Sequence, residues 1–201
     1  MKIFRILIVF FSLLLFSIIC HFVCRYDVLK IDTYVSDFVI NNIINNKFTS
    51  MCKVITQLGG TSFIVLVSIL IFIFWKERWF VTFDLVGVVA LNQLIKFIVK
   101  RPRPNFYRLV NASGYSFPSG HSMVCIAFYG IMVYLIYKNI KNNNLKYALI
   151  ILLGLLIILI GFSRIYVGVH YFTDVIAGLL LGLAYLIVYI WIYKRVNKNE
   201  E

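Results

Sequence analysis

The sequence predicts an all-α protein, a polytopic bundle of six transmembrane helices, on three observations. Of its 201 residues, 62% are hydrophobic and 14% are charged, whereas soluble proteins hold nearer ~45–50% apolar residues. Six apolar windows reach or approach the ~20 residues that span a bilayer. The lysines and arginines gather in short clusters between those windows, where topology signals lie. A soluble domain of this length could not bury so much apolar surface. The net charge of +12 therefore reads as membrane topology and not as a nucleic-acid footprint.

The first window, Ile3 to Val23, has a long apolar core and no small-x-small cleavage site after it. It reads as a retained helix, not as a secretory leader. His21 within it reads as an interfacial histidine. The stretch after it places Ile31, Val35, Phe38, Ile43 and Ile44 at near-helical spacing, with Asp32 as a possible cap. An interfacial amphipathic helix over residues 32–46 is expected, either admitting lipid to a site or packing on the bundle.

The remaining windows are Leu58 to Trp75, Trp79 to Val99, Ser122 to Tyr137, Leu145 to Phe162 and Tyr171 to Tyr193. The fourth window is short and is expected to begin at the preceding Ser-Gly-His. Cys20, Cys24, Cys52 and Cys125 form no C-x-x-C pair and no zinc-ligand pattern, so they read as small buried hydrophobes. The whole chain, 1–201, reads as a single integral-membrane domain.

Orientation follows from Lys and Arg. With a cytoplasmic N-terminus, Lys2, Arg5, Lys76, Arg78, Lys138, Lys141, Lys146, Lys194, Arg195 and Lys198 face inside. Arg25, Lys30, Lys47 and Lys53 lie outside with Asp27, Asp32 and Asp37 among them. The other six, Lys96, Lys100, Arg101, Arg103, Arg108 and Arg164, stand beside the loops after the third and fifth spans. Counted together, the two sides tie. Treated as retained for chemistry, the six leave a bias for N-terminus inside. The two polar loops then share the outer face.

Three segments meet there. In Ser163–Asp174, His170 and Asp174 are four apart at a helix start, on one helical face. A carboxylate there can hold one imidazole nitrogen and leave the other free as a nucleophile. A solvated helix start with Asp174 serving the dipole is the equal alternative. In Phe117–Ser122, Ser119 suits an N-cap and Gly120 a close backbone approach, and the helix start offers N–H groups to an anion. His121 could then protonate a leaving group. In Lys96–Pro104, Lys96 ends the third span, where an ionisable residue is costly, and Arg103 follows between two prolines. With Arg164 at the end of the fifth span, these cations could clamp a phosphoryl group. Asp174 is the only acid in these loops, so the combination reads as phosphoryl transfer without a metal or other cofactor.

These residues resemble the three signature motifs of the type 2 phosphatidic acid phosphatase superfamily. K-x6-R-P matches Lys96 to Arg103-Pro104, P-S-G-H matches Pro118 to His121, and S-R-x5-H-x3-D matches Ser163-Arg164, His170 and Asp174. The resemblance covers about residues 58–191, with no departure at a motif position. It implies a helical bundle also seen in vanadium haloperoxidases. It implies that His170 attacks phosphorus, Asp174 orients it and His121 protonates the leaving oxygen. Lys96, Arg103, Arg164 and the backbone near Ser119 and Gly120 would hold the phosphate.

The expected substrate is a membrane lipid phosphate or pyrophosphate. Undecaprenyl pyrophosphate ranks first, in a bacterial plasma membrane, ahead of phosphatidylglycerophosphate and phosphatidate. The motifs do not separate hydrolysis from transfer to a hydroxyl acceptor. A lipid-binding scaffold would show a broken motif, and a transporter would gather its ionisable residues near the midplane. Lys100, Arg101 and Arg108 read equally as head-group contacts or interfacial anchors, and Asn92 as a support for Lys96 or a packing polar. Asp84, ~18 Å of helix rise from Lys96, is kept out of the site.

Overall fold

A computed structural model describes residues 2–105 and 107–197. Among these residues there are eight helices and no strand: α1 (Lys2–Tyr26), α2 (Lys30–Asn42), α3 (Asn46–Leu58), α4 (Thr61–Phe74), α5 (Arg78–Val99), α6 (Gly120–Asn139), α7 (Asn143–Tyr166) and α8 (Phe172–Asn197). Five of them, α1, α5, α6, α7 and α8, are long and apolar enough to cross a membrane. Lys198 lies outside the described residues.

α6 forms the centre of the bundle, against α5, α7 and α8, and α1 lies along α8. The core between them is aliphatic and aromatic. Phe80, Phe128, Ile131 and Ile160 fill one half, and Val23, Val88, Met123 and Ala177 fill the other. The outward faces are apolar too. Phe4, Phe10, Leu66, Ile73, Phe97, Ile151 and Ile158 are all exposed. Exposed apolar surface costs ~25 cal/mol per Å² in water, so these belts require lipid around them.

The expected second span is not one straight helix. α4 has 14 residues, which rise ~21 Å against a hydrocarbon core of ~30 Å. It meets α3 at a 41° bend, and only together do the two pass as a span. Gly59 and Gly60 make the break, turning their N–H groups back to Thr56 O and Gln57 O.

The surface helix also differs from its expected bounds. α2 ends at Asn42, and Asn45 caps a new helix by accepting from the Phe48 N–H at 3.0 Å. The inward face of α2 carries Asp32, Ser36 and Val39, while Ile31 and Phe38 point out. Of the periodic apolar residues, Val35, Ile43 and Ile44 do pack against the core, while Ile31 and Phe38 give way to a buried carboxylate on the inward face. The fourth span does start at the Ser-Gly-His stretch, with α6 beginning at Gly120.

One end of the bundle is the convergence point. The ends of α1, α5 and α7 and the starts of α6 and α8 all meet there, joined by the loop of residues 100–119. Lys100 closes α5 in a left-handed conformation, φ 54°, and redirects the chain across that end. The loop is tied down at Leu109 N–H to Val167 O (3.0 Å) and Ser116 N–H to Arg101 O (2.9 Å). α6 and α8 touch backbone to backbone at Gly178. A Cβ there would stand 2.7 Å from Ser119 O.

Candidate active site

The predicted pair lies at the start of α8. His170 stands just before α8, and Asp174 lies in its first turn. His170 Nδ1 faces Asp174 Oδ2 at 3.4 Å. On the other side of the ring, Arg103 Nη1 approaches Nε2 at 3.1 Å. A guanidinium has only donors, so Nε2 carries the lone pair and Nδ1 the proton. The tautomer is therefore the one with the Nε2 lone pair unprotonated. Burial, with Arg103 and Lys96 nearby, pushes His170 down to about 4, although the hydrogen bond and charge of Asp174 pull it up.

Three cations stand at this ring and at His121 without an acid of their own: Arg103 and Lys96 beside His170, and Arg164 beside His121. Lys96 is buried and donates to Tyr115 O (2.5 Å) and Ser116 O (3.2 Å). Arg103 donates to Gly114 O (3.0 Å), Ser113 O (3.2 Å) and Val169 O (2.8 Å). Arg164 donates from Nη1 to Thr56 Oγ1 at 2.6 Å, and its buried Nε has no partner. Among the described residues, ion pairs form only within the set Asp32, Arg101, His170 and Asp174. Lys96, Arg103 and Arg164 thus face one space with uncompensated charge. A buried cation in that state is stabilised by an anion.

The α6 start completes the enclosure. Ser119 is fully committed to structure: its N–H donates to Asp174 O (3.0 Å), and its Oγ accepts from the Ser122 N–H (3.4 Å) and hydroxyl (2.9 Å). The N–H groups of Gly120 and His121 belong to the first turn, which has no intrahelical acceptor. The half-buried His121 ring lies under the α3–α4 break. A Cβ on Gly59 would stand 3.3 Å from its Cδ2. The structure brings all eight sequence-predicted residues to this one end.

Several neighbours behave differently from their sequence expectation. Arg101 is neither a head-group contact nor an anchor. It is buried, and it binds Asp174 Oδ1 at 2.5 Å and Asp32 Oδ2 at 2.6 Å. Asn92 supports Pro118 O (3.3 Å) and not Lys96. Arg108 donates to Pro104 O at 2.5 Å, and Lys100 lies over the Phe97 ring. Cys24 is exposed and His21 lies on the outside of α1, whereas Cys52 and Cys125 are buried. Asp84 is buried along α5 with neither carboxylate oxygen partnered.

The sequence offers Asp32 only as a cap, which it is for Leu29 N–H, and does not single out Ser116, Thr56 or Thr173. Ser116 Oγ donates to Asp174 Oδ2, and Thr173 is bound to both Arg101 and Asp32. No local pattern marks them, because each partner lies 58 to 141 residues away along the chain. The one available signal was Arg101 itself, a third cation beside Arg103 in the Lys96–Pro104 segment.

A family profile described as the PAP2 superfamily matches residues 77–198. A solved transmembrane PAP2-type phosphatidylglycerolphosphate phosphatase from Bacillus subtilis superposes with a TM-score of 0.83. It is 29% identical, and the match covers 94% of this chain and 96% of that one. Phosphatidylglycerophosphatase B of Bacillus subtilis strain 168 is 36% identical over 139 residues, 64% of this chain and 67% of that protein. An undecaprenyl-diphosphatase of Sulfolobus acidocaldarius is 30% identical over 149 residues, 67% of this chain and 66% of that protein.

Proposed function

The chain belongs to the PAP2 superfamily, and from that premise we propose that it is an integral-membrane lipid phosphatase working through a phosphohistidine. The observation that carries this reading is the charge balance of the site. Buried Lys96 and Arg164 and half-buried Arg103 bring three positive charges to His170 and His121, and the buried acids nearby are already bound to Arg101. That space suits a phosphoryl group.

The steps follow from the atoms in place. A bound phosphate monoester takes the donors of Arg103, Arg164, Lys96 and the Gly120 and His121 N–H groups. Arg103 leaves the Nε2 lone pair for phosphate oxygen. Nε2 attacks phosphorus while the ester P–O bond breaks, and His121 delivers its proton to the departing oxygen. Asp174 stabilises the charge that grows on the ring. Water then attacks phosphorus and gives its proton to His121. The P–N bond breaks, its electron pair returns to Nε2, and inorganic phosphate leaves. The fixed cations supply the stabilisation of equatorial oxygens that magnesium supplies in other phosphoryl transferases.

For the substrate, the likeness along nearly the whole chain to a phosphatidylglycerolphosphate phosphatase supports phosphatidylglycerophosphate. The sequence alone ranks undecaprenyl pyrophosphate first. The relative named undecaprenyl-diphosphatase makes it the second reading. The polar end of the bundle carries the site, so a lipid head group reaches it while the tail stays in the bilayer. With the N-terminus cytoplasmic, that end faces outward.

The test is phosphate release by detergent-purified protein from phosphatidylglycerophosphate and undecaprenyl pyrophosphate, with EDTA present. Turnover of one of them without added metal is the expected result. Strict dependence on added magnesium would contradict the mechanism.

A further inference from the structure

Arg101 is walled in on every side. Its Nε donates to Asp27 O (2.6 Å), Nη1 to Thr173 Oγ1 (2.9 Å) and Asp174 Oδ1 (2.5 Å), and Nη2 to Asp32 Oδ2 (2.6 Å). The Tyr171 ring lies 4.1 Å from the guanidinium carbon. The side chains of Arg101, Asp32 and Asp174 are all 0% exposed, so neither Arg101 nor Asp32 can meet a substrate. Asp32 also accepts from the Thr173 N–H (2.9 Å) and hydroxyl (2.8 Å) through Oδ1. It thereby caps α8 from a different helix.

We propose that Asp32 and Arg101 are positioning residues for the nucleophile: Asp32 orients Arg101, and Arg101 grips Asp174 by Oδ1 so that Oδ2 is aimed at His170. This rests on His170 being the nucleophile. Asp174 Oδ2 is otherwise held by Ser116 Oγ and the Tyr171 N–H (2.9 Å), so both oxygens of the orienting carboxylate are fixed. Asp32 lies on α2, outside the matched residues 77–198, which makes the surface helix part of the catalytic apparatus.

The charges explain why two residues are needed. Arg101 alone would neutralise Asp174. Asp32 cancels Arg101, so the three together leave one negative charge beside the imidazole. Every other charged or titratable side chain close to His170 works the opposite way or is neutral. Arg103 and Lys96 come from α5 and its following loop, His121 from α6 and Arg164 from α7. α2 adds Ser36, Val39 and Ile40 and no second acid, since Asp37 points outward.

The experiment measures kcat and KM against pH for phosphatidylglycerophosphate and, in parallel, undecaprenyl pyrophosphate in detergent micelles. It uses wild type, H170A, D32N, D32E and R101K. D32N should lose roughly ten- to hundred-fold in kcat, the scale of outer-shell partners, with KM within about two-fold. Its acid limb should move to lower pH, because the ring loses a negative neighbour. D32E, which restores the charge, should recover most of kcat.

Wild-type kcat and an unmoved limb in D32N would overturn the proposal. So would equal losses in D32N and D32E that track a lowered melting temperature. If D32N does not fold, R101K decides: it keeps the charge but loses the fork, and wild-type kcat there overturns the proposal. Turnover by H170A would sink the phosphohistidine reading itself. An inactive H170A beside a normal D32N would sink only the positioning roles.

Discussion

His170 carries two opposed contacts, and its chemistry lies in that opposition. Arg103 at Nε2 and Asp174 at Nδ1 choose the tautomer, and burial keeps the ring neutral down to about 4. The sign then fixes the pH behaviour. The proposed attack needs a neutral Nε2, so the acid limb of kcat/KM should lie near pH 4. A limb near 6.5, the ordinary histidine value, would contradict the burial argument. The same depressed value makes His170 a cost in acid: the unfolded ring takes a proton below about 6.5, and the folded one resists until about 4. Its contribution to stability therefore declines as pH falls through that window, which urea melts at stepped pH would show. Arg164 offers a second residue-scale prediction. Removing its hydroxyl partner with Thr56→Val should free the guanidinium and raise KM several-fold, with about 1 kcal/mol of lost stability. An unchanged KM would place Arg164 outside phosphate binding. The motif residues were legible because local spacing brings them to helix ends. Arg101 was not, because its acceptors arrive from α2 and α8 and only tertiary packing buries it.

The helices act as mounts whose ends had to be brought close. The glycine at 178 lets α8 approach the Ser119 carbonyl. Gly178→Ala should push Ser119 and the start of α6 away. We expect a loss of about 1–3 kcal/mol, read as a lower melting temperature in detergent, and a fall in kcat because His121 moves with the cap. A melting temperature and kcat equal to wild type would show that the two backbones can part without consequence. The α3–α4 break has a comparable role, since Gly59 touches Cys125 and Ile160 beneath His121. Five spans were readable from apolar length alone. The bend was not, because a Gly-Gly pair within apolar sequence is compatible with a continuous membrane helix. α3 also escaped notice. Its buried residues, Cys52 and Thr56, face α7, so its meaning depends on a partner 108 residues on.

On the scale of the whole molecule, both ends are charged and the belt between them is apolar, and the membrane sorts the two. The Lys and Arg distribution supports a cytoplasmic N-terminus with the site outside. Single cysteines at Asn111, in the site loop, and Asn144, at the start of α7, test it in a background with the four native cysteines replaced by Ala. A membrane-impermeant maleimide on intact cells should label position 111 and spare 144, and the reverse labelling would invert the topology. The bundle and its family were legible as a whole because three short motifs fell in order between the expected spans. The substrate was not, because the motif residues are all assigned to the phosphate and none to the rest of a head group. The central claim is a covalent phosphohistidine, and rapid-quench trapping tests it most directly. Protein mixed with labelled phosphatidylglycerophosphate or undecaprenyl pyrophosphate should carry an acid-labile phosphoryl group that maps to His170 and vanishes in H170A. Steady turnover with no phosphoryl group on His170, or with one on a different residue, would contradict it.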